Sequence, residues 1–248
     1  MTTQKTAQLY RMVMPTHTCP YGLKALHLLR SKGFAVEDRP LRTREETDSF
    51  KAAHEVTTTP QVFIDGVRIG GYDDLRRHFG QKLPDPKAPT YTPVLAVFAG
   101  TALLALAVGY LLAGTVLTAH VPELFIAFSM VVLAILKLQN LEKFSTMFLN
   151  YDLLAKRWVP YGYVYPFAEL GAGVLMAAGV LTWISVPVAL VIGTIGAVSV
   201  IKAVYIDKRE LKCACVGGDS NVPLGFLSLT ENLMMVAMAL WMAVRTIA

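Results

Sequence analysis

The sequence predicts an α/β domain over residues 1–81 followed by an all-α, polytopic membrane helical bundle. Three observations predict it. Charge is segregated, dense in residues 1–90 and confined beyond them to short basic segments between apolar runs. The first part alternates strand-like and helix-like patterns in the order βαβαββα. The second part holds apolar runs of about 20 residues, the length that crosses a hydrocarbon core. With 54% hydrophobic and 17% charged residues, the 248-residue chain is too apolar for a soluble domain and too charged for a pure membrane bundle, as a composite of the two should be. The net charge of +5 is read as membrane topology, and no nucleic-acid partner is expected. Three cysteines, Cys19, Cys213 and Cys215, argue against a secreted disulfide framework and for redox or metal chemistry in a reducing compartment. The polar N-terminus lacks an apolar h-region, so no signal peptide is expected.

Residues 8–14 read as the first strand and residues 20–31 as a helix ended by Gly33. Residues 34–39 make a second strand, and residues 43–54 a second helix with acidic residues in its first turn. Residues 61–64 and 67–69 flank Asp65-Gly66, a two-residue hairpin signal, and a last helix spans residues 72–79. Thr18-Cys19-Pro20-Tyr21-Gly22 joins the first strand to the first helix. It sets a sulfur at a helix start, where unpaired N–H groups and the positive end of the helix dipole favour a nucleophilic thiolate. Pro20, at the first helical position, fixes the entry of the chain without losing a hydrogen bond.

Cys19-Pro20-Tyr21-Gly22 after strand one, Thr58-Thr59-Pro60 before strand three and Gly70-Gly71-Tyr72-Asp73-Asp74 after the hairpin together resemble a glutaredoxin. The resemblance implies a thioredoxin fold with Pro60 cis and facing the thiol. It also implies a glutathione groove lined by Tyr21, in which Thr59 bonds the cysteinyl backbone and Gly71, Tyr72 and Asp73 hold the γ-glutamyl end. Gly22 stands where many glutaredoxins carry a second cysteine, so an intramotif disulfide is impossible and the thiol must be resolved by glutathione or another cysteine. Thr16 stands where a lysine is common, and His17 reads as an exposed loop residue.

Residues 82–92, with Pro84, Pro86 and Pro89, read as a semi-rigid spacer. Five spans follow at roughly 93–118, 122–141, 161–182, 186–206 and 223–245, with the break between the third and fourth at residues 183–187, around Trp183 and Pro187. Lys143, Lys156 and Arg157 lie between spans two and three, and Lys208, Arg209 and Lys212 between spans four and five, whereas residues 118–121 and 183–187 carry no Lys or Arg. The positive-inside rule then places the N-terminal domain and the Cys213/Cys215 loop on the cytoplasmic side of an inner membrane.

Cys213-Ala214-Cys215-Val216-Gly217-Gly218 suits a strained disulfide or a soft-metal clamp. Residues 136–144, Tyr151-Asp152-Leu153-Leu154 and this Cys-x-Cys-x-Gly-Gly turn resemble the MauE/DoxX-like membrane proteins, which implies a helical bundle connected with thiol–disulfide chemistry over residues 93–245. Glu169 in span three and Glu231 and Asn232 in span five read either as a polar pocket or proton path, which Ser228 and Thr230 can join, or as helix–helix hydrogen bonds. Lys137 is expected to snorkel to the interface. Tyr161, Tyr163 and Tyr165 read as an interfacial aromatic belt or as the edge of a quinone or substrate cavity.

The first functional reading is a membrane-bound, glutathione-linked thiol–disulfide oxidoreductase in which Cys19 exchanges with Cys213 and Cys215. With no cysteine in mid-membrane, electrons that cross would need a quinone or another small carrier. The alternative is a transporter of a soft metal or metalloid (Cu, Hg), with Cys213 and Cys215 as ligands, Met130, Met147, Met176, Met234, Met235 and Met238 as thioether donors, and glutathione-assisted release. A third is an assembly factor for a redox enzyme. The expected partners are glutathione, the lipid bilayer and an unknown redox substrate or cargo.

Overall fold

The computed structural model describes residues 5–15, 17–83, 85, 88–214 and 221–247. Cys215, Gly217, Gly218, Thr16, Pro84 and Pro86 lie outside the described residues. The chain divides into two compact units, residues 1–86 and 87–248.

The first unit is a mixed sheet with helices. It comprises β1 (Thr6–Met14), β2 (His17–Thr18), α1 (Pro20–Ser31), β3 (Ala35–Leu41), α2 (Arg44–Ala53), β4 (Gln61–Ile64), β5 (Val67–Gly70) and α3 (Tyr72–His78). β3 pairs parallel with β1, β4 antiparallel with β1, and β5 antiparallel with β4. The alternation of β1 and β4 buries Ala7, Leu9, Val62 and Ile64 against Ala25, Leu26 and Leu29 of α1 and Leu75 of α3. α2 is fixed by a capping box: the Glu46 backbone N–H donates to Thr43 Oγ1 at 3.1 Å, and Glu46 Oε2 accepts from the Thr43 N–H. The element the sequence did not announce is β2, which folds back on the tip of β1 through Val13↔Thr18 and Met14↔His17. His17 therefore sits on an exposed two-residue strand.

The second unit comprises α4 (Thr92–Ala113), α5 (His120–Leu138), α6 (Leu141–Leu149), α7 (Pro160–Ala178), α8 (Thr182–Val200), which runs on into a π-helical turn (Ile201–Ile206), and α9 (Phe226–Ile247). Among the described residues, four helical stretches are long and apolar enough to cross a membrane: Thr92–Ala113, His120–Leu138, Thr182–Ile206 and Phe226–Thr246. α7, at the third expected span, has 19 residues but carries three tyrosines, Pro166 and Glu169, and is not among these four. α6 was not expected as a separate helix; Asn140 caps it by accepting from the Lys143 N–H at 3.0 Å. The helix break expected at residues 183–187 lies at residues 179–181. α7 ends at Gly179, whose φ of +66° is free to a residue without a Cβ, and Trp183 and Pro187 already lie in α8. Leucines 95, 103, 111 and 112 of α4 point outward, as a lipid-facing helix requires. The interior side is held by close approach: α8 meets α9 where Gly196 leaves room for Asn232.

At one end of this unit the Thr90 N–H donates to the Asn221 carbonyl at 3.2 Å and Arg209 donates to the Asn150 carbonyl at 2.7 Å, which gathers the entry to α4, the α6–α7 connection and residues 207–225. At the other end Glu123 accepts from Trp241 at 2.6 Å, pairs with Arg245, and meets His120 Nδ1 at 3.0 Å.

Candidate functional site

In the first unit Cys19 is the N-cap of α1, with Pro20 as the first helical residue. Its backbone N–H donates to the Met12 carbonyl at 3.1 Å, which ties the cap to β1. The residue is buried, and its Sγ lies 3.9 Å from the Thr59 carbonyl oxygen, beside the cis Thr59–Pro60 peptide. Thr59 Oγ1 is buried and has no partner among the described residues. Tyr21 is 56% exposed and its ring lies 6.4 Å from that of Tyr72. Gly71 caps α3, its N–H donating to Asp74 Oδ2 at 3.0 Å. That bond commits Asp74 to the cap, while Asp73 stays exposed with no polar contact to the described residues.

Gly22 is buried in the first turn of α1, facing β1. A Cβ at this position would stand 2.7 Å from Arg11 Cβ and 3.0 Å from Arg11 Cδ. Arg11 is in turn fixed by two bonds to Asp38, Nε–Oδ1 at 2.9 Å and Nη2–Oδ2 at 2.7 Å. The place of a second thiol is thus filled from β1, a residue that motif reading passes over. The signal was an arginine inside a strand that is otherwise mostly apolar.

In the second unit Cys213 is buried, and its Sγ accepts a hydrogen bond from Ser228 Oγ at 3.1 Å. Residues 211–213 and 222–224 clasp each other, Cys213 N–H to the Val222 carbonyl at 2.8 Å and Leu224 N–H to the Leu211 carbonyl at 2.7 Å. The clasp rests on Val94 and Phe98 of α4 and Leu227 of α9. Asn232, one turn beyond Ser228, donates from Nδ2 to the Ser228 carbonyl at 2.7 Å.

Further along α9, Glu231 meets two other buried charges. Lys137 Nζ donates to Glu169 Oε1 and Oε2 at 2.7 and 2.6 Å and to Glu231 Oε1 at 2.8 Å. Snorkelling is therefore overturned for Lys137, which is 1% exposed: two carboxylates and the Tyr165 ring, 5.3 Å from Nζ, hold the ammonium inside. The aromatic belt is overturned for Tyr161 and Tyr165, which pack with Phe144 and Phe148 in the core, whereas Tyr163 donates to Glu142 at 2.8 Å. Thr230 does not join the cluster, because its hydroxyl is used on the Phe226 carbonyl. Among the described residues, no group of three or more His, Cys, Asp or Glu side chains has the geometry of a metal site.

A further buried carboxylate sits outside the spans. Asp152 Oδ1 accepts from the Leu154 and Ala155 N–H groups at 3.0 and 2.8 Å, and Oδ2 from Ser199 Oγ at 3.1 Å. Burial pushes its carboxyl above the ordinary range, against the pull of those donors.

A thioredoxin-type α/β unit with one cysteine at a helix N-cap, beside a cis-proline loop, defines a thiol oxidoreductase domain, here joined to a helical membrane domain. Residues 8–69 match the family model of glutaredoxin and residues 115–245 that of methylamine utilisation protein MauE, so the chain belongs to the glutaredoxin family in its first part and to the MauE family in its second. Glutaredoxin 3 of Escherichia coli (strain K12) is 42% identical over 60 residues, 23% of this chain and 71% of that one. The hybrid peroxiredoxin hyPrx5 of Haemophilus influenzae is 44% identical over 61 residues, and this chain spans only 25% of its length. Glutaredoxin 1 from Francisella tularensis, solved in complex with cacodylate, aligns with 31% of this chain and 93% of its own at 20% identity and a TM-score of 0.28.

Proposed function

We propose that the protein is a membrane-bound, glutathione-linked thiol–disulfide oxidoreductase in which Cys19 exchanges with Cys213 and Cys215. The observation that carries this reading is Cys19 at the N-cap of α1, its sulfur beside the cis Thr59–Pro60 peptide. In this reading Tyr21, Thr59, Pro60, Gly71, Tyr72 and Asp73 bind glutathione. The orphaned Thr59 hydroxyl and the uncommitted Asp73 carboxylate offer an acceptor and a negative charge for a peptide N–H and an α-ammonium. The Cys19 thiolate attacks a disulfide in line, one S–S bond forms as another breaks, and the displaced thiolate leaves and takes up a proton. Gly22 cannot resolve the product, so glutathione or the Cys213/Cys215 pair does.

The domain boundaries belong to the same reading: a redox domain to residue 81, a spacer over 82–92 and a membrane domain from 93. The membrane is an inner one, and the glutaredoxin domain and the Cys213/Cys215 loop lie in the cytoplasm, as Lys143, Lys156, Arg157, Lys208, Arg209 and Lys212 of the connecting segments support. A short spacer then gives the thiols a high effective concentration for one another. Lys137, Glu169, Glu231 and Asn232 form the polar site of the bundle. Where electrons leave the cytoplasmic side, a small carrier of the quinone class takes them, since the chain has no further cysteine.

The test is glutathione-dependent reduction of a small mixed disulfide by the purified full chain. Cys19→Ser should abolish it. Asp73→Asn should raise KM for glutathione with little change in kcat. Full activity in Cys19→Ser would end this reading.

A further inference from the structure

We propose that Lys137, Glu169 and Glu231 form a proton-binding site inside the helical bundle, holding one proton on the carboxyl pair in addition to the charge on the lysine. The three side chains come from α5, α7 and α9 and are 1%, 0% and 7% exposed. An ammonium group offers three hydrogens. Nζ meets both oxygens of Glu169 and Oε1 of Glu231, so two carboxylates share this one cation. The charge count is one positive against two negatives. α4 and α8, the other long helices of the bundle, contain no acidic or basic residue in Thr92–Ala113 or Thr182–Val200. Tyr165 presents its ring to the ammonium, which favours the cation and does nothing for the second carboxylate.

An uncompensated charge in such an interior is not sustained, and a proton on one carboxyl makes the triad neutral while keeping every contact of the lysine. A purely structural bridge between helices needs only one carboxylate per ammonium; the second makes a proton-sharing pair. A cavity of about 10 Å³, enough for one water molecule, opens between Phe98, Ser129, Leu133, Glu231 and Met235. The Ser129 hydroxyl lies 3.0 Å from that of Thr101, which extends the polar line to α4. Ser228, three residues before Glu231 on α9, touches the Cys213 sulfur, so the site lies about one helical turn from that thiol. The proton site does not rest on the thiol exchange proposed above.

Infrared spectroscopy of the full chain in lipid at neutral pH tests it, because a protonated carboxyl has a carbonyl stretch that an ionised one lacks. The expected spectrum contains one such band that persists in Cys19→Ser and Asp152→Asn and disappears in Glu231→Gln and in Glu169→Gln. Lys137→Met should add a second protonated carboxyl, which keeps the test open if a glutamine variant fails to fold. A spectrum without the band, a band that survives both glutamine substitutions, or no gain in a folded Lys137→Met protein would overturn the proposal.

Discussion

Gly22 has no room for a side chain, and the reason is Arg11. With Arg11 Cβ 2.7 Å from where a new Cβ would stand, Gly22→Ala should lower stability by about 1–3 kcal/mol in thermal unfolding. Arg11→Gly should recover most of that loss when combined with it, although each glycine in a strand has its own cost of about 1 kcal/mol. An equal loss with and without Arg11 would show that the contact is not what excludes the side chain. Asp152 gives a second test. Its folded carboxyl titrates above the unfolded one, so over the intervening pH range the folded state binds more protons, and stability falls as pH rises through the folded value. Asp152→Asn keeps an acceptor for the Leu154 and Ala155 N–H groups and should flatten that slope in melting curves taken across the acid range. Local motifs were legible at this scale: Cys19-Pro20 and Thr59-Pro60 are short strings whose chemistry is carried by their own backbone. Arg11 was not, because its partner Asp38 is 27 residues away on a neighbouring strand.

At the scale of elements, the soluble strands and helices followed from period and capping signals, since each is bounded by residues that act within one turn. The tip of β1 is different: β2 is two residues long and shows no period at all. In the membrane part, proline was a poorer guide to a helix end than glycine. Pro187 is accommodated inside α8, whereas Gly179 adopts the left-handed conformation that closes α7. Lys137 near the end of an apolar run reads as an interfacial residue, and only the meeting of α5, α7 and α9 shows its two carboxylates, 32 and 94 residues away. Removing the cation takes a hydrogen-bond partner from both and leaves the ionised one without its counter-charge. Lys137→Ala should therefore destabilise the bundle by about 3–5 kcal/mol, visible as a lower melting temperature in detergent, while Thr230→Ala, whose hydroxyl serves only the Phe226 carbonyl, should change little. Equal melting temperatures for the two variants would count against the triad as an interior link.

For the whole molecule, the two families are joined end to end, and the proposed chemistry depends on both thiol sites facing one compartment. The entry to α4 and the Cys213 clasp share one end of the bundle, through the Thr90–Asn221 and Cys213–Val222 backbone bonds. In a functional, otherwise cysteine-free variant, a thiol introduced at Lys208 should be shielded from an impermeant reagent in intact cells, and one introduced at Thr118 should be labelled. The reverse pattern would invert the topology. The central claim is exchange between Cys19 and the Cys213/Cys215 pair, and its most direct measurement is mass spectrometry of the cysteine states in chelator-treated full-length protein, with and without oxidised glutathione. Cys213→Ser and Cys215→Ser should each remove a resolving thiol, and in at least one of them a disulfide between Cys19 and the remaining partner should accumulate. If Cys19 takes up glutathione in every variant but never links to either partner, the exchange between the two sites is contradicted.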